Sequence, residues 1–263
     1  MRETAIHRWV GDHKDHRLLR RAASGVGALN HVLNWAHSDI ESSGEAGILQ
    51  ALGPGLRVVF DVGAHDGAWT SALLRAAPSC RVHCFEPSAT ARRELTSRLG
   101  SDERVVIVPA ALHAATGRRM LKQYPAASHL NSLADYPHEL EHAWIEVELE
   151  EGDAYADRAD VGVVDLLKID TDGSEWDVLQ GFVRRVTDGR IGAVQFEYGR
   201  VNIVVRRLLA DFAELFEHAG YDMFRIRRGG AEPVRYTFDL ETFFVANFLA
   251  IHRSRADLLA CVR

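Results

Sequence analysis

The stretch "VVFDVGAHDGAW" (58–69) runs three apolar or aromatic positions into an acid, a glycine turn and the start of a helical pattern. Its spacing is D-x-G-x-x-x-G, with Asp61 leading and Gly63 and Gly67 following. A dinucleotide turn needs G-x-G-x-x-G, so that pyrophosphate can approach backbone N–H groups at a helix N-terminus. Here the first glycine of that pattern is replaced by a carboxylate. An acid repels phosphates but suits an ammonium or a sulfonium-linked amino acid, which is what S-adenosylmethionine presents. Glu86 closes the next strand 25 residues beyond Asp61, where an acid accepts hydrogen bonds from ribose hydroxyls. Acid, turn and acid together favour S-adenosylmethionine over NAD.

A second constellation lies in "LLKIDTDGSEWDVL" (166–179), which delivers Lys168, Asp170 and Asp172 at a strand end, and in "QFEYG", which delivers Glu197. Acids in a first helical turn are favoured by the helix dipole, which explains Glu175 and Asp177 without chemistry. Asp170 and Glu197, on strand tips, are the candidate general bases for methyl transfer to a hydroxyl, with His129 a weaker third. Asp170, Asp172 and Glu197 would also suit Mg²⁺, a metal that the reaction does not require and that is not the favoured reading. Lys168 is expected to pair with Asp61 or Glu86. Trp69, Trp144, Trp176 and Tyr198 are candidates for an acceptor pocket, with Trp176 better explained as core.

The elements that must position these groups alternate. Strands read at 56–60, 81–86, 104–112, 161–170, 191–199, 221–228 and 241–252, separated by helical segments except at the 113–150 insertion and before the last strand. That alternation predicts βαβ units and a mostly parallel sheet with ligands at its carboxyl ends. Ser88 reads as the cap of a helix through Leu99, and Asp66 as a helix N-terminal residue. The last two strands lack a crossover helix between them and should pair antiparallel. Residues 1–50 look helical, with Leu18, Leu19, Ala22, Ala23, Val26, Leu29, Val32, Leu33 and Ala36 on one face and Arg17, Arg20 and Arg21 on another. The break at Gly53-Pro54-Gly55 sets an N-terminal arm or cap, 1–52, apart from a catalytic domain, 53–263. The polar segment 113–150 reads as a substrate-covering insertion.

Bulk properties narrow the classes further. The 263 residues are 47% hydrophobic, enough for a full core, and the formal net charge of −6 provides no field for a nucleic-acid backbone. No apolar run is long enough to span a bilayer and the charged opening residues contain no apolar h-region, so neither nucleic acid nor membrane is an expected partner. Cys80, Cys84 and Cys261 form neither a metal pattern nor a disulfide framework, and the expected setting is the cytoplasm. The oligomeric state is open, with a homodimer compatible.

Taken together, "FDVGAHDG", "HCFEPSATARREL", "VIVPAAL", "LLKIDTDGSEWDVLQG" and "VQFEYG" resemble, in order, the successive motifs of the FkbM family of S-adenosylmethionine-dependent methyltransferases. The resemblance covers about residues 45–200. It implies an α/β class I methyltransferase fold, Rossmann-like, with a seven-stranded mostly parallel sheet, a C-terminal antiparallel hairpin and helices on both faces. It also implies O-methylation of a small-molecule natural product or sugar hydroxyl, in secondary metabolite biosynthesis. The alternatives are a non-catalytic cofactor-binding module, or methylation of nitrogen or a carboxylate on a peptide or other metabolite. By this resemblance Asp61, Gly63, Ala64 and Gly67 line the methionine part of the cofactor, and Glu86 holds the ribose. Pro87, Ser88, Ala110 and Ala111 would flank the adenine, with Asp170 near the transferred methyl. His65, where an asparagine is common, would be a cofactor-wall residue, and His113 replaces a small polar residue after "AL".

Overall fold

A computed structural model describes Trp9, His13, His16, Arg17, residues 40–137 and residues 139–262. The chain divides into two compact units, Met1–Trp35 and Ala36–Arg263. The apolar periodicity read at 18–36 lies outside the described residues.

The larger unit is built on an eight-stranded sheet. In chain order its strands are β1 (Val58–Val62), β2 (Arg81–Phe85), β3 (Val105–Val108), β7 (Val164–Ile169), β8 (Ile191–Tyr198), β9 (Tyr221–Arg227), β10 (Gly230–Val234) and β11 (Ala246–His252). The spatial order is β10-β9-β11-β8-β7-β1-β2-β3, with β1, β2, β3, β7 and β8 mutually parallel. β11 inserts antiparallel between β8 and β9, as the missing crossover helix requires. Six of the seven expected strands form singly and that expected at 104–112 breaks at Pro109–Ala110 into β3 and the first strand of a second sheet; the eighth strand, β10, lies in a stretch whose Gly230 and Pro233 read as a turn. It survives because it is an edge strand, where proline is tolerated. Residues 111–123 and 143–151 form a separate small sheet, ordered β4 (Ala111–His113), β6 (Ala143–Glu151), β5 (Gly117–Gln123).

The period of two along each strand divides the core. Phe60, Val62, Leu167, Ile169, Val194 and Phe196 face one cluster, closed by Tyr155, Val178, Phe182, Phe212 and Phe216 from helices. Val59, Leu166, Ala193 and Leu249 face the other, closed by Leu73 of the helix Ala68–Ala76, Leu95 of the helix Ala89–Leu99, and Ile48, Leu49 and Leu52 of the helix Glu45–Leu52. That last helix, read from sequence as part of an N-terminal arm or cap, packs into the core. Ser88 caps the Ala89–Leu99 helix, its Oγ accepting from the Ala91 N–H at 3.4 Å, an interaction typically worth about 1 kcal/mol. The helical segment between β7 and β8 breaks at Phe182 into Glu175–Gly181 and Val183–Thr187.

Candidate active site

The sheet reverses winding direction between β1 and β7, and at such a switch point the connections leave a crevice outside the strand ends. A cavity of about 400 Å³ opens there, within the range of small-molecule sites. Its walls include Gly63, Ala64 and His65 after β1, Glu86 and Pro87 after β2, Ala111 and Leu112, and Lys168, Asp170 and Asp172 from the end of β7. The small sheet and its loop add Leu121, Ser128, His129, Asn131 and Leu133. Residues 113–150 therefore form part of the cavity wall.

The turn after β1 is fixed by close backbone approach. Gly63 has φ +80°, and a Cβ there would lie 1.8 Å from the Asp170 carbonyl oxygen. The Gly63 and Ala64 N–H groups donate to the Phe85 carbonyl at 3.0 and 3.1 Å, tying the turn to the end of β2. The Glu86 carboxylate accepts from the His65 N–H at 2.9 Å and from the Ser88 N–H at 2.8 Å. Each oxygen keeps a further acceptor site. His65, itself left-handed at φ +48°, reaches across to Ser128, Nε2 to Oγ 2.9 Å. One hydrogen bond thus joins the glycine turn to the covering segment. Asp66 accepts from the Ala68 N–H at 3.0 Å, the helix-start role expected of it.

The methyltransferase FkbM domain matches residues 61–223, more than half of the chain. The chain belongs to the FkbM methyltransferase family. The 2-O-methyltransferase NoeI of Sinorhizobium fredii (strain NBRC 101917 / NGR234) is 25% identical over 146 residues, which cover 51% of this chain and 60% of that protein. The match thus spans less than two thirds of the relative. Among solved structures, the methyltransferase FkbM from Methylobacillus flagellatus KT has a TM-score of 0.47 at 14% identity, covering 74% of this chain and 43% of that one. Cofactor-bound Rv0187 from MTB also scores 0.47, at 15% identity, over 96% of this chain and 99% of that one.

Within the FkbM domain, Gly63, Ala64, His65, Glu86, Pro87, Ala111, His129 and Asp170 line the cavity. Five other sequence candidates stand off it. Gly67, Ser88 and Ala110 lie behind the wall, with Ser88 fully buried and Ala110 8% exposed. Glu197, at the end of β8, is partly buried beside the β7 acids rather than on the lining. Asp61 is fully buried, because as an alternate residue of β1 it points with Val59 under the adjacent helix. There it accepts from Thr70 Oγ1 at 2.5 Å and faces Lys168 Nζ at 3.1 Å. Of the two partners expected for Lys168, Asp61 is the one realised. The same ammonium lies 3.4 Å from Asp170 and donates to the Gly63 carbonyl at 3.3 Å. Trp69 lines the cavity, whereas Trp144 is 45% exposed on the small sheet and Tyr198 is buried and hydrogen-bonded to Glu241. Trp176 packs edge-on against Phe212, as core. His113 stays off the cavity, held by Arg119 and Asp177.

Acids dominate the electrostatics around β7 and β8. Burial raises the Glu197 carboxyl well above its ordinary range, and the charges of Asp170, Asp172, Glu175 and Glu45 push it further. Asp172 is raised well above its range by burial, then by Asp170 and Glu175. Burial also raises Glu175, although its carboxylate accepts from the Thr171 and Gly173 N–H groups and so organises the turn after β7. Among the described residues, no group of three or more His, Cys, Asp or Glu is arranged to hold a metal ion, so the Mg²⁺ alternative has no preformed ligand set.

A carboxyl whose folded pKa exceeds its unfolded value binds its proton more tightly in the native state. Its stabilising effect is complete below the unfolded value of 4.5 and is lost as pH rises through the raised folded value. Glu197→Gln, a neutral isostere, should therefore gain thermal stability relative to the parent between pH 5 and pH 8. Melting curves at both pH values check this; a difference independent of pH would refute the buried-acid assignment.

Sequence reasoning missed Glu45 and Ile40, which line the cavity from before the matched domain, and Leu133 from the cover. Glu45 carries a visible signal, an acid opening an amphipathic helix, but nothing in its local spacing says that the helix docks at a strand end.

Proposed function

We propose that this FkbM domain transfers a methyl group from S-adenosylmethionine to a hydroxyl of a small-molecule natural product or sugar. The carrying observation is Asp170, a carboxylate with 46% of its side chain exposed, set on the cavity wall at the winding switch point. The cavity suits the cofactor in its acid-rich wall and in the buried indole N–H of Trp69, which has no acceptor. Gly63, Ala64, His65, Glu86, Pro87 and Ala111 would hold it. When bound, S-adenosylmethionine supplies an electrophilic methyl group on a positively charged sulfur.

The chain's own work is then to orient the acceptor and take its proton. Asp170 receives the hydroxyl proton, and Lys168 steadies that carboxylate from behind. His129, exposed on the cover and lining the cavity, orients the acceptor. The O-methyl assignment is supported by the relative described as a 2-O-methyltransferase. A small molecule rather than a nucleic acid is supported by the net charge of −6.

Thermal shift with S-adenosylmethionine, S-adenosylhomocysteine and NADH tests the cofactor, and no shift with the first two sinks the reading. Asp170→Asn should then lower turnover by about 10²- to 10⁴-fold, the usual contribution of a general base, with cofactor affinity little changed. Near parental turnover, measured by mass detection of the methylated acceptor, would remove Asp170 from this role.

A further inference from the structure

The acid that leads the glycine turn does not face the cavity. Asp61 is fully buried and already matched by Thr70 and Lys168. A cofactor with an α-ammonium group therefore has to meet another carboxylate. Glu45 lines the cavity and comes from outside the residues that the family domain matches. We infer that Glu45, with Trp69, forms the receptor for the α-amino acid end of the cofactor; this rests on the proposed use of S-adenosylmethionine.

The position of Glu45 is built, not incidental. It opens the helix Glu45–Leu52, whose Ile48, Leu49 and Leu52 are buried against the sheet. The preceding Gly44 has φ +93°, and a Cβ there would fall 2.1 Å from the Arg227 carbonyl oxygen, so the helix start is clamped onto β9. The carboxylate is steered by Ser43 Oγ at 2.8 Å and by Gln195 Nε2 at 2.5 Å. Lys168 is close enough to act on it electrostatically, but its ammonium is committed to Asp61, Asp170 and the Gly63 carbonyl.

One buried atom on the cavity wall points to what is missing. Trp69 is 8% exposed and lines the same cavity as Glu45, yet its Nε1–H has no acceptor. An unpaired buried donor is costly, so the indole implies a partner. A carboxylate and a bare N–H on one wall are together the complement of a zwitterion: ammonium against Glu45, carboxylate against the indole.

Titration calorimetry of the full chain tests this with two ligands. S-Adenosylhomocysteine carries the amino acid end, and 5′-methylthioadenosine lacks it. Glu45→Gln should weaken S-adenosylhomocysteine about 10- to 100-fold, and Trp69→Phe about tenfold, as expected for losing hydrogen bonds to charged groups. Both variants should bind 5′-methylthioadenosine as the parent does, which also shows that they fold. Unchanged S-adenosylhomocysteine affinity in either variant, or equal losses for the two ligands, overturns the inference and leaves the cofactor reading standing. A parent that binds neither ligand overturns both.

Discussion

Lys168→Met should destabilise the domain by about 3–5 kcal/mol, the usual cost of removing one partner from a buried ion pair. The ammonium is 4% exposed and Asp61 is fully buried. Burial alone would pull the lysine's pKa down, but Asp61, Asp170 and Glu45 more than offset it and hold the ammonium charged. Methionine fills the space and leaves a carboxylate with Thr70 as its remaining partner. Urea unfolding measures the loss. The double variant Asp61→Asn with Lys168→Met removes the stranded charge, so it should recover much of the stability. If the double variant is as unstable as the single one, packing around Lys168 matters more than the charge pair.

Gly63→Ala should cost about 2–4 kcal/mol, joining about 1 kcal/mol for a left-handed backbone to the strain of an overpacked contact. The contact is backbone to backbone, Cβ to the Asp170 carbonyl oxygen at 1.8 Å, so no side chain can swing away. The tips of β1 and β7 must part, which moves Asp170 and opens the cavity floor. Denaturant unfolding should show the loss, and the thermal shift with S-adenosylhomocysteine should disappear. Gly229→Ala is the matched control, since a Cβ there meets nothing within 4 Å. Equal behaviour of the two variants would mean that the turn after β1 is not the rigid element described.

The mostly parallel sheet was legible in the sequence, because β-branched runs, the glycine turn and the acids at strand ends are local signals. Gly63, Glu86 and Asp170, singled out by their motifs, lie on the cavity wall. What was not legible depends on direction and distance. Asp61 belongs to the motif, but strand alternation turns its side chain under a helix, and Lys168 across the strand pair holds it there. Glu45 lies outside every motif and reaches the cavity only because Ile48, Leu49 and Leu52 dock its helix. β10 was hidden because Gly230 and Pro233 are turn residues everywhere except at a sheet edge.

That edge strand also bears on self-association. Pro233 pairs opposite Phe224 within an intact ladder, so its missing N–H belongs to the outward row of donors. Glu232 beside it pairs with Arg227 at 3.2 Å. A gap in the donor row and a charged neighbour discourage a foreign strand from adding to the sheet. β10 is thus a poor template for continuing this sheet from that edge into a second copy of the chain.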